Sequence, residues 1–252
     1  MPLLLNQPEL LSKDHYLLKI EMKETDFYPG QFINIKASHN TDPLLRRPIS
    51  IFDAEGNTIS IVVRVIGKGT ELISRMEPGD IDIIGPLGKG FTIEKNKNVL
   101  LIGGGVGNAP LYYLMKILKQ EGTKITYIYS VRNKDFIFEK SKYQVLADDF
   151  IITTDDGSEG IKGIAIDVLK DKISSKNYDR IYCCGPDPMM EKVVQIADID
   201  TPVEISVENY FGCGIGICVG CTVDTVEGYK RACIDGPVFD GRTILWDKMP
   251  TQ

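Results

Sequence analysis

The stretch Val99-Leu-Leu-Ile-Gly-Gly-Gly-Val-Gly-Asn-Ala-Pro110 is a run of apolar residues followed by closely spaced glycines and the start of a helical pattern. This order of strand, glycine turn and helix binds phosphates, because glycines let the backbone approach a pyrophosphate and the helix presents unpaired N–H groups. Pro110 stands where the usual G-x-G-x-x-G fingerprint has glycine or alanine, so a tight turn that packs a helix onto a sheet is the alternative. The glycines of the predicted dinucleotide site are Gly103, Gly104, Gly105 and Gly107.

Before this stretch, the sequence has the pattern of short strands. Apolar and β-branched residues alternate or run together in segments separated by turn signals such as Tyr28-Pro-Gly30 and Glu77-Pro-Gly-Asp80. Short strands at this spacing predict a small antiparallel barrel. The predicted strands are Tyr16–Met22, Gln31–Ala37, Thr58–Val65 and Ile81–Gly85.

After the glycines, apolar strands alternate with helical patterns. This alternation is typical of a parallel sheet covered by helices. The predicted helices lie near Leu111–Gln120 and Ile164–Ile173. The predicted strands are Val99–Ile102, Lys124–Ser130, Phe150–Thr154, Arg180–Cys184 and Val203–Val207.

Cysteines are concentrated in the last part of the sequence. The run Phe211-Gly-Cys-Gly-Ile-Gly-Ile-Cys-Val-Gly-Cys221 and a later cysteine give the spacing C-x4-C-x2-C…C, which is that of plant-type [2Fe–2S] ferredoxins. A zinc-stapled loop or a disulfide pair is the alternative, although structural zinc sites more often use two C-x2-4-C pairs. The candidate ligands are Cys213, Cys218, Cys221 and Cys233.

Composition excludes several classes of function. A formal net charge of −6 argues against a general binder of nucleic acid or of anionic membranes. No apolar stretch approaches the ~18 residues of a membrane helix, and the first residues lack the basic region of a signal peptide. We therefore expect a cytoplasmic protein whose reduced thiols can bind metal. The two histidines disfavour a histidine-rich metal site or a histidine triad.

Three other motifs suggest ligand binding, and each has a plain structural alternative. Arg46-Arg-Pro-Ile-Ser50 offers a guanidinium fork for a phosphate, or is a solvated loop. Gly67-Lys-Gly-Thr70 presents N–H groups to a second anion, or is an ordinary β-turn. Cys184-Gly-Pro186 ends a predicted strand at the sheet edge where ligands bind, or contains a buried structural cysteine.

These motifs, as a set, resemble the ferredoxin–NADP⁺ reductase superfamily, in which they occur in the same order. With the C-terminal cysteines and the segment Tyr229–Phe239, the whole chain looks like the family of electron-transfer subunits of class 1B dihydroorotate dehydrogenases. The motifs that carry the resemblance are Tyr28-Pro-Gly-Gln-Phe32, Arg47-Pro-Ile-Ser50, Gly67-Lys-Gly-Thr70, Gly103-Gly-Gly-Val-Gly-Asn-Ala-Pro110 and Cys184-Gly-Pro186.

The resemblance implies a multi-domain β plus α/β fold. An antiparallel flavin-binding β-barrel is expected over residues 1–95, a parallel-sheet nicotinamide-binding domain over 96–206 and a small [2Fe–2S] domain over 207–252. The implied cofactors are FAD and a [2Fe–2S] cluster, with NAD(H) as co-substrate. These cofactors together would convert two-electron hydride transfer into one-electron transfer.

The resemblance also implies residue roles. Cys184 would lie near the nicotinamide, and Gly69 and Thr70 would hold the flavin pyrophosphate. Ile49 stands where wider superfamily members carry a tyrosine that stacks on the flavin, so stacking must come from elsewhere. The residues expected to bind FAD are Arg47, Pro48, Ile49, Ser50, Val62, Val63, Arg64, Gly69 and Thr70.

The function implied is electron transfer from an FMN-containing dihydroorotate dehydrogenase catalytic subunit to NAD⁺, in pyrimidine biosynthesis, within a heterotetramer of two plus two subunits. The partner would dock at the cysteine loop around Tyr210 and Phe211. One alternative is a subunit of an NAD(P)H-dependent ferredoxin or sulfur-linked oxidoreductase, although such relatives tend to replace the first cysteine, here Cys213, with a carboxylate. A flavin-free, zinc-stapled scaffold is the more remote alternative. Arg132 and Lys134 favour NADP, whereas Asp155 and Asp156 oppose it.

Overall fold

An antiparallel sheet and a mostly parallel sheet lie side by side, and a two-stranded hairpin follows them. The structure is a computed structural model that describes residues 2–23, 26–38, 40–175 and 177–249. Within these residues, no helix is both long enough and apolar enough to span a bilayer.

The first sheet is antiparallel, forms a half-barrel and has the order β7-β1-β3-β6-β5-β4-β8, with β2 paired to β3. Its core is built from alternating residues such as Leu18, Ile20 and Ile33, which are fully buried. Its strands are β1 (Leu3–Leu4), β2 (Glu9–Ser12), β3 (His15–Glu21), β4 (Phe32–Ile35), β5 (Arg47–Glu55), β6 (Thr58–Arg64), β7 (Gly79–Asp80) and β8 (Ile83–Leu87). Helix α1 (Lys68–Ile73) connects β6 to β7.

The second sheet is parallel except at one edge and has helices between its strands. Its parallel strands are β9 (Asn98–Gly104), β10 (Lys124–Val131), β11 (Asp149–Thr154), β12 (Ile161–Lys162), β13 (Arg180–Cys184) and β14 (Val203–Ser206). The intervening helices are α2 (Asn108–Gln120), α3 (Lys140–Leu146), α4 (Ala165–Ser175) and α5 (Asp187–Ile196).

The C-terminal segment is tied to the second sheet. After the cysteine loop come the hairpin strands β15 (Thr222–Thr225) and β16 (Gly228–Arg231), then β17 (Val238–Asp240). β17 pairs antiparallel with β14 and forms the sheet edge, so the sheet order is β12-β11-β10-β9-β13-β14-β17. The cysteine loop is therefore held between two anchored segments.

Helix α2 fixes the half-barrel against the second sheet. The ring of Tyr112 stacks on that of Phe52, with a centroid distance of 4.6 Å. Lys116 Nζ lies 2.8 Å from the carboxylate of Asp53, and the Tyr113 hydroxyl donates to the carbonyl of Phe27 at 3.1 Å. These contacts join the two sheets through stacking, an ion pair and a hydrogen bond.

The observed fold confirms the predicted architecture of an antiparallel barrel-type sheet, a parallel sheet and a C-terminal iron–sulfur segment. Strand Arg180–Cys184 has the predicted bounds, whereas α2 begins at Asn108 and therefore includes Pro110 in its first turn. Proline is tolerated there because the first N–H groups of a helix have no intrahelical acceptor.

Candidate redox site

The glycine turn after β9 meets the end of β13. A β-carbon at Gly107 would lie 2.5 Å from the carbonyl oxygen of Cys184, so only glycine permits this approach. Gly105 has a φ of +58°, and a β-carbon there would meet no heavy atom within 4 Å. The structure thus brings the predicted glycines and Cys184 together and leaves an open space beside Gly105 that fits a dinucleotide phosphate.

Buried tyrosines hold the start of α2. The Tyr127 hydroxyl donates to Asn108 Oδ1 at 2.6 Å, and the Tyr143 hydroxyl donates to the Asn108 carbonyl at 3.0 Å. Asn108 Nδ2 in turn donates to the carbonyl of Gly105 at 2.8 Å. Burial raises the pKa of Tyr127 and of Tyr143 well above the usual value, so both hydroxyls remain donors at neutral pH.

Cys183 and Cys184 are both buried, and they face opposite sides of the sheet. Burial raises the pKa of the Cys184 thiol well above its usual value. Cys184 therefore lies at the predicted sheet edge as a neutral thiol, and it is not a reactive thiolate.

Two carboxylates that the sequence analysis missed lie near the end of β13. Glu208 is exposed to solvent, and desolvation by the surrounding protein, followed by the charge of Asp187, raises its pKa, while Arg64 lowers it. Asp187 Oδ1 is buried without a hydrogen-bond partner among the described residues, so it fits a donor group of a ligand. Glu208 comes shortly after β14 ends at Ser206, and Asp187 begins α5 shortly after β13; this position near the carboxyl ends of parallel strands is the signal that identifies them.

The motif Arg47–Ser50 belongs to strand β5, and its arginine reaches Gly69 in the first turn of α1. A β-carbon on Gly69 would lie 2.3 Å from Nε of Arg47, so the guanidinium rests directly on this glycine. Among the described residues, Arg47 forms no ion pair with a carboxylate, and its polar contacts are the carbonyls of Leu45 and Arg46. A cation without a carboxylate on a glycine turn fits the pyrophosphate of FAD.

Thr70 shapes the same turn. Its hydroxyl accepts from the N–H groups of Ile66 and Gly67 at 3.0 and 3.2 Å and donates to the Gly67 carbonyl at 2.9 Å. The hydrogen-bonding capacity of the Thr70 hydroxyl is therefore satisfied within the protein. Any contact of this turn with an anion falls to the first N–H groups of α1 and to Arg47.

In the strand Val62–Arg64, which was predicted to lie along the flavin, the main chain and the side chain of Arg64 are the groups available to a ligand. Val63 is packed in the half-barrel core, and Val62 in the apolar cluster against α2, so neither side chain is available to a ligand. Arg64 is half-buried, and its Nε lies 3.1 Å from the carboxylate of Asp14. Pro48 and Ser50 pair with the β4 residues across the ladder, and Ile49 packs against the half-barrel core.

His15 lies beside this strand and is fully buried. Its Nδ1 is 3.0 Å from the Ser12 hydroxyl and 2.9 Å from the carboxylate of Asp14, and its ring centroid is 5.0 Å from that of Phe138. Burial lowers the pKa of His15 to about 4, although Asp14 opposes the shift. The ring is therefore neutral in the folded protein at neutral pH.

We expect His15 to destabilise the fold as the pH decreases. The unfolded chain binds a proton below about pH 6.5, whereas the folded chain does so only near pH 4, so stability is lost as pH falls through this window. Between about pH 7.5 and about pH 5 the loss is about 2 kcal/mol. His15→Phe should remove that part of the pH dependence in urea unfolding. An unchanged pH dependence in the variant would contradict the assignment.

The four predicted cluster cysteines form two pairs. Sγ of Cys221 lies 3.2 Å from Sγ of Cys233, and both residues are buried. The Cys213 and Cys218 side chains are hydrogen-bonded to each other and lie closer to the surface. Each pair can therefore supply two thiolate ligands to one metal ion.

Backbone N–H groups point at the outer pair. Ile215 and Cys218 each donate to Sγ of Cys213 at 3.4 Å, and Gly220 donates to Sγ of Cys218 at 3.5 Å. The donors from Cys218 and Ile215 lower the pKa of Cys213 to about 6. Val219, with φ of +53°, adopts the left-handed conformation that directs the Gly220 N–H toward the thiol.

The inner pair is electrostatically different. Burial, and then the neighbouring Cys221, raise the pKa of Cys233 to about 12. Two buried thiols in contact ionise together only when a bound cation compensates their charge.

The pairing of the thiols can be compared with the two metal hypotheses. A structural zinc ion needs four ligands around one point, whereas each iron of a [2Fe–2S] cluster takes two thiolates. Two separate thiol pairs with N–H donors to sulfur therefore fit the cluster.

The predicted docking surface surrounds Tyr210 and Phe211. Tyr210 is 69% exposed, whereas Phe211 is buried, and its ring centroid lies 4.9 Å from that of Phe32 on β4. The Phe211 ring fills the contact between the half-barrel and the cysteine segment, so Tyr210 is the accessible residue of the two.

Comparison with known proteins gives two family matches. Residues 208–245 match the iron–sulfur cluster binding domain of dihydroorotate dehydrogenase B, and residues 101–195 match the oxidoreductase NAD-binding domain. The chain is 40% identical over 233 residues to the dihydroorotate dehydrogenase B (NAD⁺) electron transfer subunit of Clostridium acetobutylicum, covering 91% of each chain. It is 38% identical over 236 residues to that subunit of Bacillus pumilus, covering 90% of each.

Solved structures show the same fold. An NADH-dependent reduced ferredoxin–NADP oxidoreductase, studied for flavin-based electron bifurcation, superposes with a TM-score of 0.88 at 31% identity, covering 98% of this chain and 90% of that chain. Phthalate dioxygenase reductase, described as transferring electrons from pyridine nucleotides to [2Fe–2S], superposes with a TM-score of 0.66 at 17% identity, covering 93% and 94%.

The fold, the nucleotide edge and the thiol pairs define a ferredoxin–NADP reductase-like oxidoreductase with an iron–sulfur segment. Within that class, the chain belongs to the family of dihydroorotate dehydrogenase B (NAD⁺) electron transfer subunits. Its cofactors are FAD and a [2Fe–2S] cluster, with NAD(H) as co-substrate, and it acts with a catalytic subunit.

Proposed function

We propose that this chain takes electrons from an FMN-containing subunit that oxidises dihydroorotate and delivers them to NAD⁺. The observation that carries the proposal is that one chain contains candidate sites for all three redox groups. They are the two thiol pairs, the Arg47 guanidinium on Gly69, and the glycine turn next to Cys184 in the parallel sheet. When bound, FAD exchanges two electrons as a hydride with nicotinamide and single electrons with an iron–sulfur cluster.

Each proposed binding role follows from the contacts above. Arg47 and the start of α1 at Gly69 and Thr70 bind the FAD pyrophosphate, and the main chain of Val62, Val63 and Arg64 lines the flavin together with Pro48, Ile49 and Ser50. Gly103 to Gly107 bind NAD(H), and Cys184 borders the nicotinamide as a neutral thiol. Cys213 and Cys218 hold one iron, and Cys221 and Cys233 hold the other.

The cysteine loop is also the proposed docking surface. Apolar side chains are exposed on and beside it, although such groups are usually buried in a monomer. We call these residues the loop patch: Ile215 (41% exposed), Ile217 (78%), Val219 (59%) and Ile234 (39%). A partner that covers the patch comes close to the outer thiol pair, which one-electron transfer between subunits requires.

Ile217→Asp should weaken association with the catalytic subunit about tenfold or more, because a carboxylate would be buried in an apolar contact. NADH-dependent dye reduction should remain at the wild-type rate, since the flavin and nucleotide sites are untouched. Val145→Asp on α3 is the matched control, because Val145 is 80% exposed and lies outside the patch. Equal effects of the two variants on association would exclude the loop patch as the interface.

We further propose an assembly of two electron-transfer and two catalytic subunits in the cytoplasm, where thiols remain reduced. We propose domain limits of 1–95, 96–206 and 207–252. The limit at 206 and 207 separates the nucleotide-binding sheet from the cysteine loop, although β17 returns to that sheet.

A second function deserves comparison because of one structural match. The similarity to the NADH-dependent reduced ferredoxin–NADP oxidoreductase favours a subunit of a ferredoxin-linked enzyme with the same cofactors. Cys213 in the outer pair and the relatives at 36–40% identity favour the dihydroorotate-linked function. A strong preference for NADPH over NADH in dye reduction would favour the ferredoxin-linked alternative.

The test of the proposed function is dihydroorotate-driven reduction of NAD⁺. The chain purified from its native extract should be accompanied by a dihydroorotate-oxidising flavoprotein, and the complex should form NADH from dihydroorotate and NAD⁺. A complex that contains both proteins but reduces only ferredoxin would overturn the proposal.

A further inference from the structure

Strand β4 joins the half-barrel to the cysteine loop through one of its faces. Ile33 and Ile35 lie in the half-barrel core, and the alternate residues Phe32 and Asn34 face the other way. Phe32 packs on Phe211, and Asn34 Nδ2 donates to the carbonyl of Cys213 at 3.3 Å.

The backbone of the cysteine loop approaches the Asn34 side chain closely at Gly214. A β-carbon at Gly214, where φ is +73°, would lie 2.5 Å from Asn34 Nδ2. Glycine is thus required at 214 both for the backbone conformation and for the approach of the loop to Asn34. The loop backbone therefore packs directly against the side-chain amide of Asn34.

Asn34 is costly for stability. Its side chain is fully buried, and Oδ1 has no hydrogen-bond partner among the described residues. A buried polar atom without a partner carries an uncompensated desolvation penalty, so an apolar side chain would suit this part of the core better. Among the described residues, the side-chain hydrogen bond of Asn34 goes to the carbonyl of Cys213.

The strand register places the same residue beside the proposed flavin segment. Asn34 is the ladder partner of Pro48, and Phe32 is the partner of Ser50. Partners across an antiparallel ladder share a face of the sheet. Asn34 therefore lies between the Arg47–Ser50 segment and the first cluster cysteine.

We propose that Asn34 is a positioning residue that clamps the Cys213 end of the loop against the half-barrel and thereby fixes the approach of the cluster to the flavin. This inference rests on the proposed function, because it requires that Cys213 be a cluster ligand. Asn34 acts on the loop through the carbonyl of Cys213 and through Gly214.

The experiment uses the cofactor-loaded protein and the variant Asn34→Leu. Leucine has a similar size and removes the unpartnered oxygen, so the fold should be retained. Losing one neutral hydrogen bond of about 1 kcal/mol should accelerate iron release to a chelator roughly fivefold. Reduction of the cluster by NADH should also slow, while reduction of the flavin keeps its wild-type rate.

A second variant keeps the inference testable if Asn34→Leu does not fold. Gly214→Ala inserts a methyl group against Asn34, and Asn34→Ala makes room for it. If the contact matters, Gly214→Ala should accelerate iron release less in the Asn34→Ala background than in the wild type. Additive effects, or iron release at the wild-type rate in Asn34→Leu, would overturn the clamp.

The wild-type protein separates this inference from the function on which it rests. A wild type that lacks about two irons per chain refutes the proposed cluster itself. A wild type that contains them, with an Asn34→Leu variant of unchanged iron release and cluster reduction, refutes only the role of Asn34.

Discussion

Replacing Cys221 with alanine is expected to remove nearly all iron and acid-labile sulfide from the purified protein. Cys221 and Cys233 lie 3.2 Å apart and supply the buried thiol pair, so the variant leaves one iron with a single protein ligand. FAD content and NADH-dependent dye reduction should persist, because Arg47 and the glycine turns are unchanged. Partner-linked electron transfer should fall at least about a hundredfold, since the cluster is the only one-electron port proposed.

Cys183→Ala is the matched control for this prediction. Cys183 is as buried as Cys221 and Cys233, but it lies on β13 in the core of the parallel sheet. The control should retain about two irons per chain. A Cys221→Ala protein with the same iron content as the control would contradict the assignment of the inner pair.

Replacing Arg47 with methionine is expected to deplete the protein of FAD. Methionine keeps much of the aliphatic length but removes the guanidinium that rests on Gly69. A hydrogen bond to a charged group contributes about 1.5–3 kcal/mol, which corresponds to a loss of roughly 10–150-fold in FAD affinity. Flavin content after dialysis and FAD titration of the apoprotein measure the effect.

The neighbouring arginine provides the control. Arg46 forms an ion pair with Asp82 at 2.8 Å near the surface, and it is not in contact with the glycine turn. Arg46→Met should retain FAD, because only a partly exposed ion pair is lost. Equal loss of FAD in the two variants would show that general damage to β5, and not the guanidinium of Arg47, is responsible.

Much of the fold follows from local sequence patterns. The alternation of apolar strands with helical segments after Gly107 gave the parallel sheet, because buried parallel strands are continuous apolar runs. The C-x4-C-x2-C…C spacing predicts four cluster ligands and leaves zinc as an alternative. The contacts within the Cys213–Cys218 and Cys221–Cys233 pairs are tertiary features that the spacing does not give.

Two elements were missed because their determinants are not local. The segment at Arg47 has a proline and adjacent charges, which favour a loop, yet it forms a nine-residue strand because it pairs with β4 and β6. Gly67-Lys-Gly-Thr70 has the pattern of a turn, yet it begins α1 because the Thr70 hydroxyl accepts from the N–H groups that precede the helix.

Site residues that act through tertiary contacts were also missed. Asn34 is one polar residue in an apolar strand, and only the strand register shows that it lies between Pro48 and Cys213. Glu208 and Asp187 belong to no motif, and they are identified only by the proximity of Glu208 to Cys184 and to Asp187 in the folded chain. The burial of Phe211 was not predictable from the sequence, because it depends on the packing partner Phe32.

The most direct test of the two-electron to one-electron account is an anaerobic titration of the purified protein with NADH. FAD accepts two electrons and a [2Fe–2S] cluster accepts one, so full reduction should consume about 1.5 equivalents of NADH per chain and decrease both the flavin and the iron–sulfur absorption. Consumption of about one equivalent, with iron–sulfur absorption absent or unchanged, would contradict the account.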